Sequence, residues 1–247
     1  LAEAEVEYAD KTSDAIDVAF AADDSAALAK AFGLESLSKP AAIVIWTTTP
    51  WTIPSNKAVA YGNGIEYGLY RVDATQEESW TNPGELYVFA NTLAADALEK
   101  SRVTEFTKVR DIAPSEFEGL ICAHPFNGLD GADGFWDYDV PMLPGDHVTD
   151  EAGTGFVHTA PSHGADDYII GVKHNLPMTH NVLEDGSFRA DLPFFGGLDE
   201  ISVISGLQSL WGSDVILALI VTAFAIFAPY LKTIGLALIH FDLLKDK

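Results

Sequence analysis

The chain has 247 residues, of which 48% are hydrophobic, enough for one large or two small cores. Its formal net charge is −23, with 14 Lys and Arg against 37 Asp and Glu, which argues against a protein that grips nucleic acid through a basic patch of its own. A single cysteine, Cys122, excludes an internal disulfide and a Cys-rich metal site. We expect it to pack as a small apolar residue in a reducing cytoplasm.

Short strands alternate with short helices along the chain, which predicts a mixed α/β fold. The predicted strands are 4–8, 15–19, 42–46, 66–72, 85–90, 105–110, 120–124 and 155–159. The predicted helices are 25–32, 92–100 and 166–173, each bounded by a residue that caps or stops a helix. We expect loops at 131–134 and 141–146 and a hairpin turn at 184–187, because these stretches are rich in turn-forming residues.

Segment 46–58 (Trp-Thr-Thr-Thr-Pro-Trp-Thr-Ile-Pro-Ser-Asn-Lys-Ala) concentrates hydroxyls and prolines directly after an apolar strand. Pro50 and Pro54 fix their own φ and favour extended backbone before them, so we expect a stiff, non-helical loop that displays threonine hydroxyls. Hydroxyls both donate and accept, which suits the ribose and base edges of a nucleoside. A β-edge rich in threonine for its strand propensity explains the same residues. The hydroxyls belong to Thr47, Thr48, Thr49 and Thr52.

Segment 153–168 reads as a Gly-rich turn, a short buried strand, a break at Pro161 and a helix that opens near Ala165. Asp166 and Asp167 would lie in the first helical turn, where they favour the helix dipole without any chemical role. The strand end also brings His158 to the same turn. A carboxylate at such a place is a natural anchor for a cationic amine.

Together the two segments resemble the editing insertion of the isoleucyl-tRNA synthetase family, over residues 1–198. The matching strings are Thr-Thr-Thr-Pro-Trp-Thr-Ile-Pro-Ser-Asn at 47–56 and Gly-Thr-Gly-Phe-Val-His-Thr-Ala-Pro-Ser-His-Gly-Ala-Asp-Asp-Tyr at 153–168. The valyl and leucyl relatives carry Arg before the proline, where this chain has Thr49, so the isoleucyl family is the better match. The resemblance implies a short-stranded, β-barrel-like α/β editing domain with peripheral helices.

The resemblance also implies an aminoacyl-tRNA deacylase that removes valine from the 3′ end of tRNA(Ile), beside the remainder of the synthetase and without a metal or cofactor. Asp167 would bind the substrate ammonium, and His158 would bound the side-chain pocket. The threonines would hold the terminal adenosine and orient water. The implied catalytic residues are Asp167, Thr48, Thr49 and Thr52. The implied substrate-binding residues are Thr47, Trp51, Asn56, His158 and Asp166.

The family's aminoacylation motifs, of the His-Ile-Gly-His and Lys-Met-Ser-Lys-Ser types, do not occur in this sequence. We therefore expect a fragment of a longer synthetase that does not itself charge tRNA, since ATP binding belongs to the full-length enzyme. We assign His124 to a strand end and Trp136 to packing.

Two other functions stay open at this stage. A metal-dependent hydrolase could be built on His158, His163, Asp166 and Asp167, although the spacing is not that of a zinc-binding helix. A non-catalytic module could bind tRNA ends and carry an apolar anchor. Turnover and sensitivity to chelators distinguish these functions from metal-free editing.

The tail 199–247 departs from the family and contains the uncharged apolar run 215–231. That run is at the lower limit for a membrane span, and Pro229 would kink its end. Three interpretations are open: a membrane helix, a buried or interface helix, and a tail that a frame shift or fusion has replaced. We favour the last, because a membrane partner does not fit an editing domain.

Overall fold

The computed structural model describes residues 15–21 and 41–199. The strands in these ranges are β1 (Ile16–Ala21), β2 (Ala41–Thr47), β3 (Ala58–Tyr61), β4 (Tyr67–Thr75), β5 (Leu86–Ala90), β6 (Val103–Ile112), β7 (Ile121–Ala123), β8 (Asp139–Pro144) and β9 (Phe156–Thr159). The helices are α1 (Ala94–Lys100) and α2 (Ala165–His174), with 3-10 helices at Pro50–Ser55 and Pro114–Phe117. The mixed α/β prediction is confirmed.

The first sheet has the strand order β1-β2-β5-β4-β6, and all its neighbours are antiparallel except β2 and β5. In β1 the buried residues Ile16, Val18 and Phe20 alternate with more exposed ones, because successive side chains of a strand point to opposite faces. One face of this sheet contributes to the main core. The other face packs against α1 through a smaller cluster that includes Val72 and Leu98.

The second sheet has the order β7-β8-β3-β9, with β3 parallel to β8 and antiparallel to β9. All four residues of β3 are buried, as expected for a central strand covered on both faces. Val59 of β3 lies opposite His158 of β9, so the register of this pair sets the position of the histidine.

A single core cluster joins residues of the two sheets, and Cys122 is buried in it as predicted. Tyr67 lies at its centre, stacked on Phe156 with ring centroids 4.6 Å apart. The Tyr67 hydroxyl accepts from the Gly62 N–H at 2.9 Å and donates to the Gly155 carbonyl at 2.8 Å. This buried hydroxyl is therefore satisfied, and it links the start of β4 to the start of β9.

Two local predictions are wrong. Segment 141–146 was predicted as a loop, but 139–144 is strand β8, in which the Met142 N–H between the two prolines donates to the Leu120 carbonyl. Segment 46–58 was predicted as non-helical, but its centre is a 3-10 helix that begins at Pro50, whose fixed φ suits a first helical position. Strand β3, which follows it, was not predicted.

The other predicted strands and the helices at 92–100 and 166–173 are confirmed, within a few residues. The strand at 4–8, the helix at 25–32 and the tail beyond residue 199 lie outside the described residues. No helix within residues 15–21 and 41–199 is both long and apolar enough to cross a membrane.

Candidate functional site

A chain of threonine hydroxyls connects the end of β2 to the 3-10 helix. Thr47 Oγ1 lies 3.1 Å from Thr49 Oγ1, which lies 3.3 Å from Thr52 Oγ1. The Thr49 N–H donates to Thr47 Oγ1 at 3.1 Å, and Thr52 Oγ1 donates to the Thr49 carbonyl at 2.7 Å. The first turn of the 3-10 helix is thereby fixed by side chains as well as by the Thr52 N–H bond to the Thr49 carbonyl.

The direction of these bonds determines the tautomer of His158, whose Nε2 lies 3.0 Å from Thr52 Oγ1. A hydroxyl has one proton, and Thr52 donates it to the Thr49 carbonyl. Thr52 must then accept from the histidine, so we assign the ring proton of His158 to Nε2. Its Nδ1 carries a buried lone pair with no partner among the described residues.

His158 is a buried residue of β9. Burial, together with the nearby His163, lowers its pKa to about 4. Because the neutral ring is the stable form near pH 7, His158 offers a fixed donor at one nitrogen and a fixed acceptor at the other. It can shape a pocket and orient a hydroxyl, but it is a poor source of positive charge.

Asp167 occupies the first turn of α2 and turns back toward β9. Its Oδ2 accepts from the Ala160 N–H at 3.1 Å, two residues beyond His158. Burial raises the pKa of the Asp167 carboxyl, although the Ala160 bond and His147 oppose the shift. An adjacent cationic amine would relieve this burial cost, so the site is suited to an ammonium group. Its neighbour Asp166 is exposed.

The structure thus brings Thr47, Thr49, Thr52 and His158 into one hydrogen-bonded group, with Asp167 held at the end of the same strand. Thr48 is exposed, whereas Trp51 is half-buried and packs on the main core. The expectation that all four hydroxyls are displayed is wrong for Thr47 and Thr52, which are buried and bonded to their neighbours. Asn56 is also buried, and its Nδ2 donates to the Ala58 carbonyl at 2.8 Å.

Several residues that were not among the predicted editing-site residues contact the 3-10 helix. His124 and Trp136, assigned to a strand end and to packing, are fully buried and also bond its carbonyls. Asn181 and His163 both contact the Ser55 hydroxyl, at 2.9 and 3.1 Å. A buried His or Trp needs a hydrogen-bond partner for each polar atom of its ring. That requirement could have predicted that these rings bond to nearby backbone as well as pack.

The residues of the metal alternative do not converge on one point. His158 is directed to Thr52, and His163 is directed to Ser55. Across the part of the chain that the structure describes, no group of three or more His, Cys, Asp or Glu could hold a metal ion. No observation in these residues therefore favours the metal-dependent hydrolase.

The chain has the fold of leucyl-tRNA synthetase editing domains. It superposes on the crystal structure of GlLeuRS-CP1 with a TM-score of 0.58 at 13% identity, covering 82% of this chain and 97% of that one. The P. knowlesi cytosolic leucyl-tRNA synthetase editing domain matches with a TM-score of 0.51 at 14% identity, covering 67% and 65%. At these identities the likeness shows the fold alone.

Sequence comparison gives the particular family. The chain is 47% identical over 203 residues to the isoleucine–tRNA ligase of Ruegeria pomeroyi and 42% identical over 208 residues to that of Bradyrhizobium diazoefficiens, over 80% of its length in each case. The chain therefore belongs to the isoleucyl-tRNA synthetase family, as its motifs predicted. It spans about a fifth of the length of these relatives. No family model matches it.

Proposed function

We propose that this chain is an aminoacyl-tRNA deacylase, the hydrolytic editing part of an isoleucyl-tRNA synthetase, which releases valine from tRNA(Ile). The observation that carries the proposal is the convergence of the threonine group, His158 and Asp167 at the end of β9. The names of the sequence relatives point to the isoleucine-accepting tRNA. A cytoplasmic location and the remainder of the synthetase as partner belong to the same proposal.

Asp167 is the anchor for the substrate in this proposal. A valyl ester carries a free ammonium group, and the half-buried carboxylate gains a counter-charge when that group binds. Asp166 is exposed one residue earlier, so we assign it a long-range electrostatic contribution rather than contact. The net charge of −23 makes the chain a weak tRNA binder by itself, so most of the grip belongs to the rest of the synthetase.

The threonines hold the terminal adenosine and the attacking water. Thr49 is only partly buried, and Thr48 is exposed, so these two residues are the more accessible of the four. Thr47 and Thr52 support Thr49 from within the hydroxyl chain. None of these residues forms an activated nucleophile pair with a charged base, so water attacks the ester carbonyl directly, with positioning as the main catalytic effect.

His158 bounds the pocket for the amino-acid side chain, which gives the site its selectivity. One methylene in an apolar pocket is worth about 1–3 kcal/mol, a general magnitude for which isoleucine against valine in this class of synthetase is the established example. A second, hydrolytic site that admits valine and excludes isoleucine compensates for that small difference. The buried, neutral ring of His158 makes a rigid wall for such a site.

The experiment is hydrolysis of valyl-tRNA(Ile) and isoleucyl-tRNA(Ile) by the full chain, with Asp167→Ala and with Asp96→Ala as control. Asp96 is likewise an acid in the first turn of a helix, but it lies on α1. We expect selective release of valine that Asp167→Ala lowers by at least about 100-fold, since it removes a charge-assisted contact and misplaces the ester. Equal turnover by both variants would contradict the role of Asp167.

A chelator arm tests the metal alternative in the same assay. We expect unchanged rates, and loss of activity restored by added metal would favour the metal-dependent hydrolase. If the folded chain binds tRNA ends but does not hydrolyse either ester, the result would favour the non-catalytic module.

A further inference from the structure

Side chains from three distant parts of the chain hold the 3-10 helix and the residue that follows it. The contacts are His124 Nε2 to the Ile53 carbonyl at 3.0 Å, Trp136 Nε1 to the Pro54 carbonyl at 3.0 Å, Tyr138 Oη to the Asn56 carbonyl at 2.7 Å and Asn181 Nδ2 to Ser55 Oγ at 2.9 Å. These partners lie between 71 and 126 residues from the segment they contact. The threonine-bearing helix is therefore clamped by tertiary structure, beyond its own short turn.

The direction of the His124 bond follows from its other nitrogen. The Phe126 N–H donates to His124 Nδ1 at 3.1 Å, so Nδ1 carries the lone pair and Nε2 carries the proton. His124 Nε2 is thus the donor to the Ile53 carbonyl. The ring is 2% exposed and stacks on Trp136 with centroids 5.9 Å apart and planes 14° apart, so the two donors belong to one packed unit.

This unit is needed because a short 3-10 helix satisfies few of its own carbonyls. The Ile53 carbonyl accepts from the Asn56 N–H, but the Pro54 carbonyl has no backbone donor among the described residues. It accepts from Trp136 Nε1 at 3.0 Å and, more weakly, from Asn181 Nδ2 at 3.4 Å. Pro50 and Pro54 add no N–H groups of their own. The carbonyls of this segment face the interior, where an unpaired acceptor is costly, so a shift of the helix would break contacts on several sides at once.

We propose that His124 and Trp136 are positioning residues for deacylation, which act by fixing the 3-10 helix so that Thr49 and Thr52 stay aligned with His158. This inference rests on the proposed function, because it concerns how the residues of the same site are kept aligned. Neither side chain reaches the threonine hydroxyls. Their effect is transmitted through the carbonyls of Ile53 and Pro54.

Trp136→Phe tests the inference directly, because it keeps an aromatic ring in the core and removes the Nε1–H donor. Trp80→Phe is the matched control, because Trp80 lies between β4 and β5, where its ring packs near Arg102. We expect Trp136→Phe to lower kcat for valyl-tRNA(Ile) by about 10- to 100-fold with little change in KM, as for a misplaced catalytic group. We expect Trp80→Phe to match the wild-type chain.

A second pair of variants separates positioning from packing. His124→Leu fills a similar volume without a donor, whereas His124→Gln retains an amide N–H at a position close to Nε2. We expect His124→Gln to restore most of the kcat that His124→Leu loses. Equal kcat in the two variants, both folded, would overturn the inference.

Amide hydrogen exchange provides a readout that does not depend on activity. The Thr52 N–H and Asn56 N–H are bonded within the 3-10 helix, and the Ala90 N–H is bonded elsewhere, to Thr154. We expect Trp136→Phe to accelerate exchange at the first two and to leave the third unchanged. An inactive wild-type chain would count against the proposed function alone, whereas unchanged exchange in Trp136→Phe would overturn the positioning inference in either case.

Discussion

Thr52 is the residue on which the hydrogen bonds of the site converge. Its single hydroxyl donates to the Thr49 carbonyl and receives the Nε2–H of His158, with Thr49 Oγ1 also in reach. Because both neighbours are oriented by this one atom, the geometry of the site depends on a side chain that is itself buried. The residue supports the site rather than displaying itself to a ligand.

Thr52→Val removes the hydroxyl and keeps the shape of the side chain. We expect a loss of about 1–3 kcal/mol in the free energy of unfolding, because the buried Nε2–H of His158 loses its acceptor. Urea unfolding measures this loss, with Thr104→Val on the exposed face of β6 as control. An effect no larger than that of the control would contradict the buried hydrogen bonds of Thr52 to His158 and to the Thr49 carbonyl.

At this scale the sequence predicted which residue types gather, but not which of them face solvent. Thr48 and Thr52 are both threonines in one motif, yet one is exposed and the other is buried. In extended backbone, side chains alternate between two faces, so Thr48 and Thr52 would lie on the same face. The 3-10 helix that begins at Pro50 instead turns successive side chains around its axis, and the two threonines face different surroundings. The roles of His124 and Trp136 depend on contacts across 71 or more residues, which no local pattern contains.

Gly155 is the element-scale feature that joins β9 to the first sheet. It has φ of +85°, and a Cβ placed there would lie 2.4 Å from the Ala90 Cβ. The Ala90 N–H also donates to the Thr154 carbonyl. The turn before β9 therefore approaches the end of β5 more closely than any side chain allows, which fixes where β9, the strand that carries His158, begins.

Gly155→Ala should destabilise the chain by about 2–5 kcal/mol, from left-handed backbone strain together with overpacking. Gly186→Ala is a matched control, because Gly186 has φ of +82° and open space around its Cβ position. Thermal or urea unfolding measures the loss of stability in each variant. The difference between the two losses is the cost of the close approach to Ala90. Equal destabilisation would show that the approach to Ala90 relaxes without cost.

Element prediction succeeded where the pattern was strong and failed where prolines and short length hid it. The helix at 166–173 has acids in its first turn and a stop at Asn175, which adopts a left-handed conformation. Strand β3 has only four residues, all buried, so it lacks the alternation that marks a half-exposed strand. Strand β8 contains Pro141 and Pro144, which locally indicate a loop.

At the scale of the whole molecule, stability should fall as the pH drops from 7 to 5. Burial lowers the pKa of His124 to about 3 and that of His158 to about 4, against 6.5 in the unfolded chain. Below pH 6.5 the unfolded chain therefore takes up protons that the folded chain does not. Burial raises the pKa of Asp17 to about 6 and also raises the pKa of Asp167, and proton uptake by these carboxyls in the folded chain partly offsets the loss. The net loss is about 2 kcal/mol by pH 5.

Urea unfolding at pH 7, 6 and 5 measures this dependence. His124→Gln removes one of the two buried imidazoles, so we expect it to flatten the profile toward zero slope. His180→Gln, at an exposed position, is the control and should follow the wild-type profile. A wild-type stability that is constant or rises toward pH 5 would contradict the neutral, buried state of the two histidines.

The parallel pairing of β3 with β8 also sets the order in which the chain can fold. Val59 lies opposite both Met142 and His158, so a strand synthesised early acquires its partners only after most of the domain has followed. Bringing such distant segments together costs conformational entropy before the contacts between them form. We therefore expect folding to be slow for a domain of this size. Until those partners are present the apolar residues of β3 lack cover, so we expect a nascent chain released before residue 159 to be a substrate for chaperones and proteases. We also expect the candidate site to be among the last parts to form.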